Sequence, residues 1–255
     1  MTTTTLEQPP QLSPHEEQVF ERQLTLPGFG LEGQRKLKAA TVLISRVGGL
    51  GGTVAMLLAR AGIGRLVLAH GGVVEHENLN RMPLAFAQHL GQPRMAAFVE
   101  TLGKINPDVA LVPCFDNVSD DNVAGLMAQA DIVVDASPDF AERYCINAEA
   151  VRTRKPVVMA AMNGLECYAT TIRPGETPCL ACIYPSAPEG WEVTGFPVIA
   201  PSSSTIASIA AMEVIKALTG YGRPLENKLL YCDLENNTFS TFNIRRQPDC
   251  GVCSH

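Results

Sequence analysis

The sequence predicts an α/β fold: a Rossmann-like, mostly parallel sheet with flanking helices, followed by C-terminal antiparallel strands and a zinc knuckle pair of four cysteines. Three observations predict it. Residues 41–64 read as strand, glycine turn and helix. A short β-branched apolar run at 41–44 precedes Gly48, Gly49, Gly51 and Gly52, and good helix formers follow over 53–61. Residues 131–135 form a near-continuous apolar run, the pattern of a strand buried in a parallel sheet. Cys179 with Cys182, and Cys250 with Cys253, form two C-x-x-C pairs.

Composition narrows the function classes. A chain of 255 residues that is 46% hydrophobic can bury one sizeable α/β domain. A net charge of −6 argues against a nucleic-acid partner, which demands a basic face. No apolar run reaches membrane-spanning length, and the N-terminus lacks a signal-peptide pattern. The expected location is the cytoplasm, where eight cysteines point to metal or redox chemistry before disulfides. Residues 1–11, rich in Thr, Pro and Gln, are expected to be a disordered tail. Residues 12–255 are expected to form a single domain, with a nucleotide-binding part over 12–161 and a zinc- and partner-binding part over 162–255.

The elements follow in order. Ser13-Pro14 with Glu16 and Glu17 reads as an N-cap, Pro at N1 and acids in the first turn of a helix that carries Glu21, Arg22 and Gln23. A short helix over 33–39 leads into the first strand, and 65–69 is the second. A helix opened by Gln92-Pro93-Arg94 stops at Asn106-Pro107. Strand 109–115, helix 120–129 and strand 131–135 follow, and the last delivers Asp135, Ser137 and Asp139 to the sheet end where ligands bind. Arg143 and Asn147 lie on the next helix, and 156–160 is a further strand. Residues 167–172 read as an exposed-type strand, and 187–198 as a loop holding the only tryptophan, Trp191. A long small-residue helix over 202–219 is expected to be capped by Ser203 or Ser204 and stopped by Gly220. Residues 229–233 and 238–244 flank an Asn-Asn turn and read as a hairpin.

Two local patterns carry chemistry. Glycine in the turn tolerates positive φ and lets a phosphate approach bare backbone, and the helix after it presents unpaired N–H groups to that phosphate. An ordinary βα turn without a ligand explains the glycines as well. The four knuckle thiolates Cys179, Cys182, Cys250 and Cys253 satisfy a tetrahedral zinc ion, which must form through the fold because the pairs are far apart in sequence. Such a closed site is structural. A redox pair accounts for one knuckle and not for two. Cys114, Cys145, Cys167 and Cys232 are expected to be buried small hydrophobes.

These pieces, in this order, resemble the HesA/MoeB/ThiF family of ubiquitin-activating-enzyme-like adenylyltransferases. The matching segments are ERQ (21–23), LPGFG, VGGLGG, NLNR, LGQPR, KINP, VVDAS, PCLAC, AMEVIKALTGYG and the terminal CGVC. HGGVVEHENLNRMPL and LGQPR look most like the HesA branch, found with nitrogen-fixation genes. The resemblance implies a homodimer that binds ATP and Mg²⁺ and adenylates the C-terminal carboxylate of a ubiquitin-like sulfur carrier. It places Arg46, Gly48, Gly49, Leu50, Gly51, His70, Asn78, Arg81, Arg94 and Asp135 around the nucleotide. It gives catalysis to Arg22, reaching into the partner subunit's site, and to Arg81, Arg94 and Asp139.

The departures from the family pattern bear on function. Arg46 stands at the first glycine of the loop, His70 at the ribose-binding Asp, Gly72 at a neighbouring Asp, Arg94 at the catalytic Lys and Pro138 at the Mg²⁺-binding Asp. Asp139 or Asp135 is left to supply the Mg²⁺ ligand. No cysteine lies in 189–197 to form a thioester. Three readings follow: an adenylyltransferase in metal-cofactor or sulfur delivery, set by the HesA likeness in nitrogenase metallocluster (molybdenum) assembly with a nitrogenase assembly protein as partner; a catalytically degenerate scaffold or chaperone; and a conventional activator of a sulfur carrier. A small-molecule dehydrogenase leaves the knuckles and the arginines unexplained.

Overall fold

The computed structural model describes residues 10–191 and 195–254. Most of the expected tail and residues 192–194 of the loop at 187–198 lie outside them. Eight strands form one sheet in the order β3-β2-β1-β4-β5-β6-β7-β8. These are β1 (Thr41–Ser45), β2 (Arg65–Ala69), β3 (Ala110–Cys114), β4 (Ile132–Asp135), β5 (Val157–Asn163), β6 (Glu166–Ile172), β7 (Lys228–Asp233) and β8 (Thr238–Asn243). The first five are parallel and the last three antiparallel.

Period-two alternation splits the apolar residues between two cores. Val42 and Ile44 of β1 face the helices α3 (Gly30–Ala39), α4 (Gly49–Ala61), α5 (Arg94–Ile105) and α9 (Ala200–Thr219). Leu43, between them, faces α6 (Val123–Met127) and α7 (Phe140–Thr153), with Leu180 of the short α8 (Leu180–Ile183) at the edge of the same layer. At the N-terminus, α1 (Pro14–Val19) begins with the expected cap: Glu16 N–H donates to Ser13 Oγ at 3.2 Å, and Ser13 N–H to Glu16 Oε2 at 2.6 Å. Phe20 then breaks the expected long helix, so Arg22 sits on a separate short helix, α2 (Glu21–Leu24).

The chain leaves β1 outward to β2 and β3, then returns to β4 on the other side of β1. The helices after β1 and β4 cover opposite faces, which opens a crevice at the carboxyl ends of these two strands. Two local expectations are corrected. β6 is mostly buried, because it lies between β5 and β7 with α9 across it. The cap of α9 is Ile199 without a side-chain bond, since Pro201 occupies the first turn and Ser203 Oγ donates back to Ala200 O. Gly220 does end α9 in the left-handed conformation, at φ 76°.

Candidate functional site

The turn after β1 makes the site. Arg46 adopts φ 56°, a conformation that favours glycine, and Gly48 N–H closes the bend onto Arg46 O at 2.7 Å. Gly51 is fixed by crowding: a Cβ there would lie 2.5 Å from Arg46 O. The helix α4 therefore starts against the strand end with its first-turn amides unpaired within the helix. Above it lies a cavity of about 1030 Å³, lined among others by Arg46, Gly48, Gly49, Leu50, His70, Asn78, Arg81, Arg94 and Arg143. Gly49 packs closely here, with a Cβ position 3.3 Å from both Arg81 Cγ and Ser203 Oγ.

Four arginines and three glutamates, Glu75, Glu77 and Glu166, line the wall, and most of the carboxylates close by are paired; Glu142 Oε1 is buried without a partner. Arg46 Nε donates to Glu142 Oε2 at 2.5 Å, and the Glu142 side chain is 3% exposed. Burial pushes the Glu142 carboxyl up, against the pull of Arg46. Arg143 donates to Asp135 Oδ2 at 2.9 Å and to Ala160 O at 3.1 Å. Burial raises the Asp135 carboxyl, again opposed by its guanidinium partner. Arg94 Nε donates to Asn78 Oδ1 at 3.1 Å and Nη2 to Glu75 Oε2 at 3.0 Å. Arg81 Nη1 donates to Glu77 O at 2.7 Å. Glu166 takes the hydroxyls of Tyr168 and Tyr231. Trp191 Nε1 donates to Pro138 O at 2.8 Å and closes one wall.

His70 is buried between cations. Its Nε2 lies 3.4 Å from Arg94 Nη1, a group with no acceptor, so Nε2 accepts and the proton sits on Nδ1. Burial, then Arg94 and Arg46, pull its pKa from 6.5 down to about 3. The sign follows: below pH 6.5 the unfolded chain takes up a proton that the folded chain refuses until about pH 3. Acidification across that window is expected to cost up to about 1.4 kcal/mol per pH unit from this group. Urea midpoints at about pH 7 and about pH 5 check it, and His70→Gln should flatten the difference.

Two expected ligands do not reach the cavity. Asp139 caps α7, accepting Ala141 N–H at 2.9 Å. Asp135 accepts from Arg143 and, at 3.1 Å, from Ser137 N–H beneath the cavity wall. A Mg²⁺ ion is held through one or two carboxylates plus substrate phosphates; the two at the strand end, Asp135 and Asp139, are spent on an arginine and a helix cap, so this expected donor pair does not fit Mg²⁺. Gly51 does not line the cavity either; it shapes the turn. Arg22 is exposed and stands apart from this cavity. Sequence reasoning misses Glu142 and Ser203, and takes Arg143 only as a helix residue. An adjacent Glu-Arg pair directly after a buried strand is the signal available.

The cysteines converge. The sulfurs of Cys179, Cys182, Cys250 and Cys253 all lie within 4.8 Å of one another, and these are the only such cluster among the described residues. Sulfur separations are 4.0 Å for 179–182, 3.7 Å for 179–250 and 3.5 Å for 182–253. Tetrahedral zinc, with Zn–S of about 2.3 Å, sets sulfurs about 3.8 Å apart, so the donors fit such an ion. Asn147 of α7 braces the first knuckle, donating to Cys179 Sγ at 3.7 Å and accepting Leu180 N–H at 2.9 Å. Of the other four, Cys167 and Cys232 are buried as expected, whereas Cys114 and Cys145 are half-buried.

A glycine turn at the switch point of a parallel sheet, ringed by guanidinium groups, is the architecture of a phosphate-binding α/β protein. The ThiF family pattern matches residues 20–252, and the chain belongs to that family. Protein HesA of Leptolyngbya boryana is 46% identical over 244 residues, covering 96% of this chain and 88% of that protein. The molybdopterin-synthase adenylyltransferase of Escherichia coli K12 is 35% identical over 95% of this chain and 98% of its own length. Among solved structures, Escherichia coli MccB with ATP superposes with a TM-score of 0.76 at 27% identity, covering 87% of this chain and 68% of MccB. The fold is therefore adenylyltransferase-like, and it includes a relative seen with ATP. Among the described residues no helix is long and apolar enough to cross a membrane.

Proposed function

We propose that this chain is an ATP-binding adenylyltransferase that activates a carboxylate or other oxyanion in metal-cofactor or sulfur delivery, within nitrogenase metallocluster (molybdenum) assembly. The observation that carries the reading is the turn cavity itself: bare glycine backbone, the start of α4 and four arginines on one 1030 Å³ space. The likeness to HesA proteins supports the setting. The acceptor oxygen attacks the α-phosphorus of ATP, the bond to the bridging oxygen breaks, and pyrophosphate leaves with the electron pair. Guanidinium groups spread the charge that develops, and Arg81 and Arg94 hold the phosphates. The cysteine cluster holds zinc and ties the C-terminal segment to the domain. The protein works in the cytoplasm as a homodimer.

One observation favours a peptide or sulfur-carrier C-terminus as the acceptor. Phe242, Tyr231 and Tyr168 form an aromatic ladder across β8, β7 and β6, with centroids 6.4 and 5.3 Å apart, and Tyr168 lines the cavity. Phe242 is 54% exposed, so the ladder runs from an open sheet edge to the site. The degenerate-scaffold reading draws on the pairing of Arg46 with Glu142 and on Pro138.

Exchange of labelled pyrophosphate into ATP tests the proposal, with molybdate, a carrier protein or no acceptor present. Acceptor-dependent exchange supports it; neither ATP binding nor exchange under any condition leaves the scaffold. Arg22→Ala is expected to abolish exchange. Mixing it with Arg94→Ala should restore roughly a quarter of the activity, because half the dimers then hold one intact composite site.

A further inference from the structure

We propose that the cavity binds its triphosphate ligand without a divalent cation, the Arg46 guanidinium supplying the positive charge that bound Mg²⁺ otherwise provides. This rests on the nucleotide reading above and goes beyond it.

The donor inventory is one-sided. Arg46, Arg81, Arg94 and the first-turn amides of α4 present donors to the cavity; of the carboxylates that line it, Glu75 holds Arg94, Glu166 holds two tyrosine hydroxyls and Glu77 turns 72% to solvent, while Glu142, with Oε1 buried and unpartnered, lies outside the lining. Pro138 offers no side-chain donor atom to a metal, Asp139 caps α7 and Asp135 is closed by Arg143 and Ser137. A metal–nucleotide complex needs free carboxylate oxygens; a bare polyphosphate needs N–H groups.

Arg46 is built for this place. It stands in the left-handed region, where a glycine would sit without strain, so its side chain is kept there against a backbone penalty. Its Nε is anchored to the buried Glu142, while its two terminal nitrogens have no hydrogen-bond partner among the described residues. That anchoring fixes the planar fork on the cavity wall at little further entropic cost on binding. Beside it, His70 Nδ1 is buried without a hydrogen-bond partner. Since Nε2 faces Arg94, Nδ1 carries the hydrogen; it makes no close hydrogen bond, and the Val47 backbone, which supports the protonated ring, is the acceptor near it. An anchored guanidinium with its terminal nitrogens unpaired is the complement of a phosphate oxygen. Free ATP also carries more negative charge than its Mg²⁺ complex, so the cationic wall favours the free form.

The test uses the full chain and ATP, with binding read by calorimetry and by the fluorescence of Trp191, the sole tryptophan. Titrations are run in EDTA and in excess MgCl₂. ATP is expected to bind in EDTA at least as tightly as in Mg²⁺. Arg46→Gly paired with Glu142→Gln relieves the backbone and avoids stranding a buried carboxylate; its thermal unfolding checks the fold. In that variant, binding in EDTA is expected to weaken at least about tenfold, with a smaller loss in Mg²⁺. Wild-type binding that requires Mg²⁺, or EDTA binding unchanged in the folded variant, overturns the inference and leaves the nucleotide reading standing. Absence of ATP binding in both buffers overturns both.

Discussion

Cys179→Ser is expected to release the metal and to lower stability by about 4 kcal/mol or more, the range reached when a structural metal is lost. Cys179 is fully buried, and burial pushes its thiol up to about 12, so a cation among the four sulfurs would be what holds this one as a thiolate. Removing one ligand opens the tetrahedron and leaves Asn147 Nδ2 without its sulfur acceptor. The damage should spread along α8 and the C-terminal segment, whose Gln247 N–H donates to Cys182 Sγ at 3.4 Å. Metal content by mass spectrometry and the urea midpoint check this. Cys114→Ser, outside the cluster, should keep both. Full metal retention in Cys179→Ser removes it from the ligand set.

Arg94→Ala is expected to reduce pyrophosphate exchange about 10²- to 10³-fold, as when one preorganised donor to a developing charge is deleted. Arg94 is held for its task at three points, by Asn78, Glu75 and the ring of His70. Its removal strands no buried charge, because Glu75 is 58% exposed, so the fold should survive. Arg94→Lys keeps the charge and loses the fork, and should recover only part of the rate. A loss confined to KM assigns Arg94 to ground-state binding; a loss in kcat assigns it to the reaction. Unchanged exchange removes it from the site.

Much of this architecture is legible in the sequence because it rests on local rules. The glycine turn, the buried strand ending at Asp135 and the hairpin around Asn-Asn each follow from residue chemistry within a few positions. The knuckles are legible from spacing, although only the fold brings them together. Pairings distant in sequence are not. Nothing near Arg46 announces that Glu142 will meet it, and nothing near Asp135 says that Arg143 will take its charge. The substitutions at the site also read as separate losses in sequence and as linked ones in space. Gly72 leaves the room that Arg94 fills, since a Cβ there would lie 3.2 Å from Arg94 Nη1. Asp139 misleads because a carboxylate just before a helix has a competing use, the cap.

Helix α7 reaches both chemical centres. It carries Glu142, which steadies Arg46, and, about 7.5 Å further along a rigid rod, Asn147, which braces the thiolate cluster. A displacement of this helix carries both side chains with it, so the cavity wall and the cysteine cluster share one support little more than a turn apart.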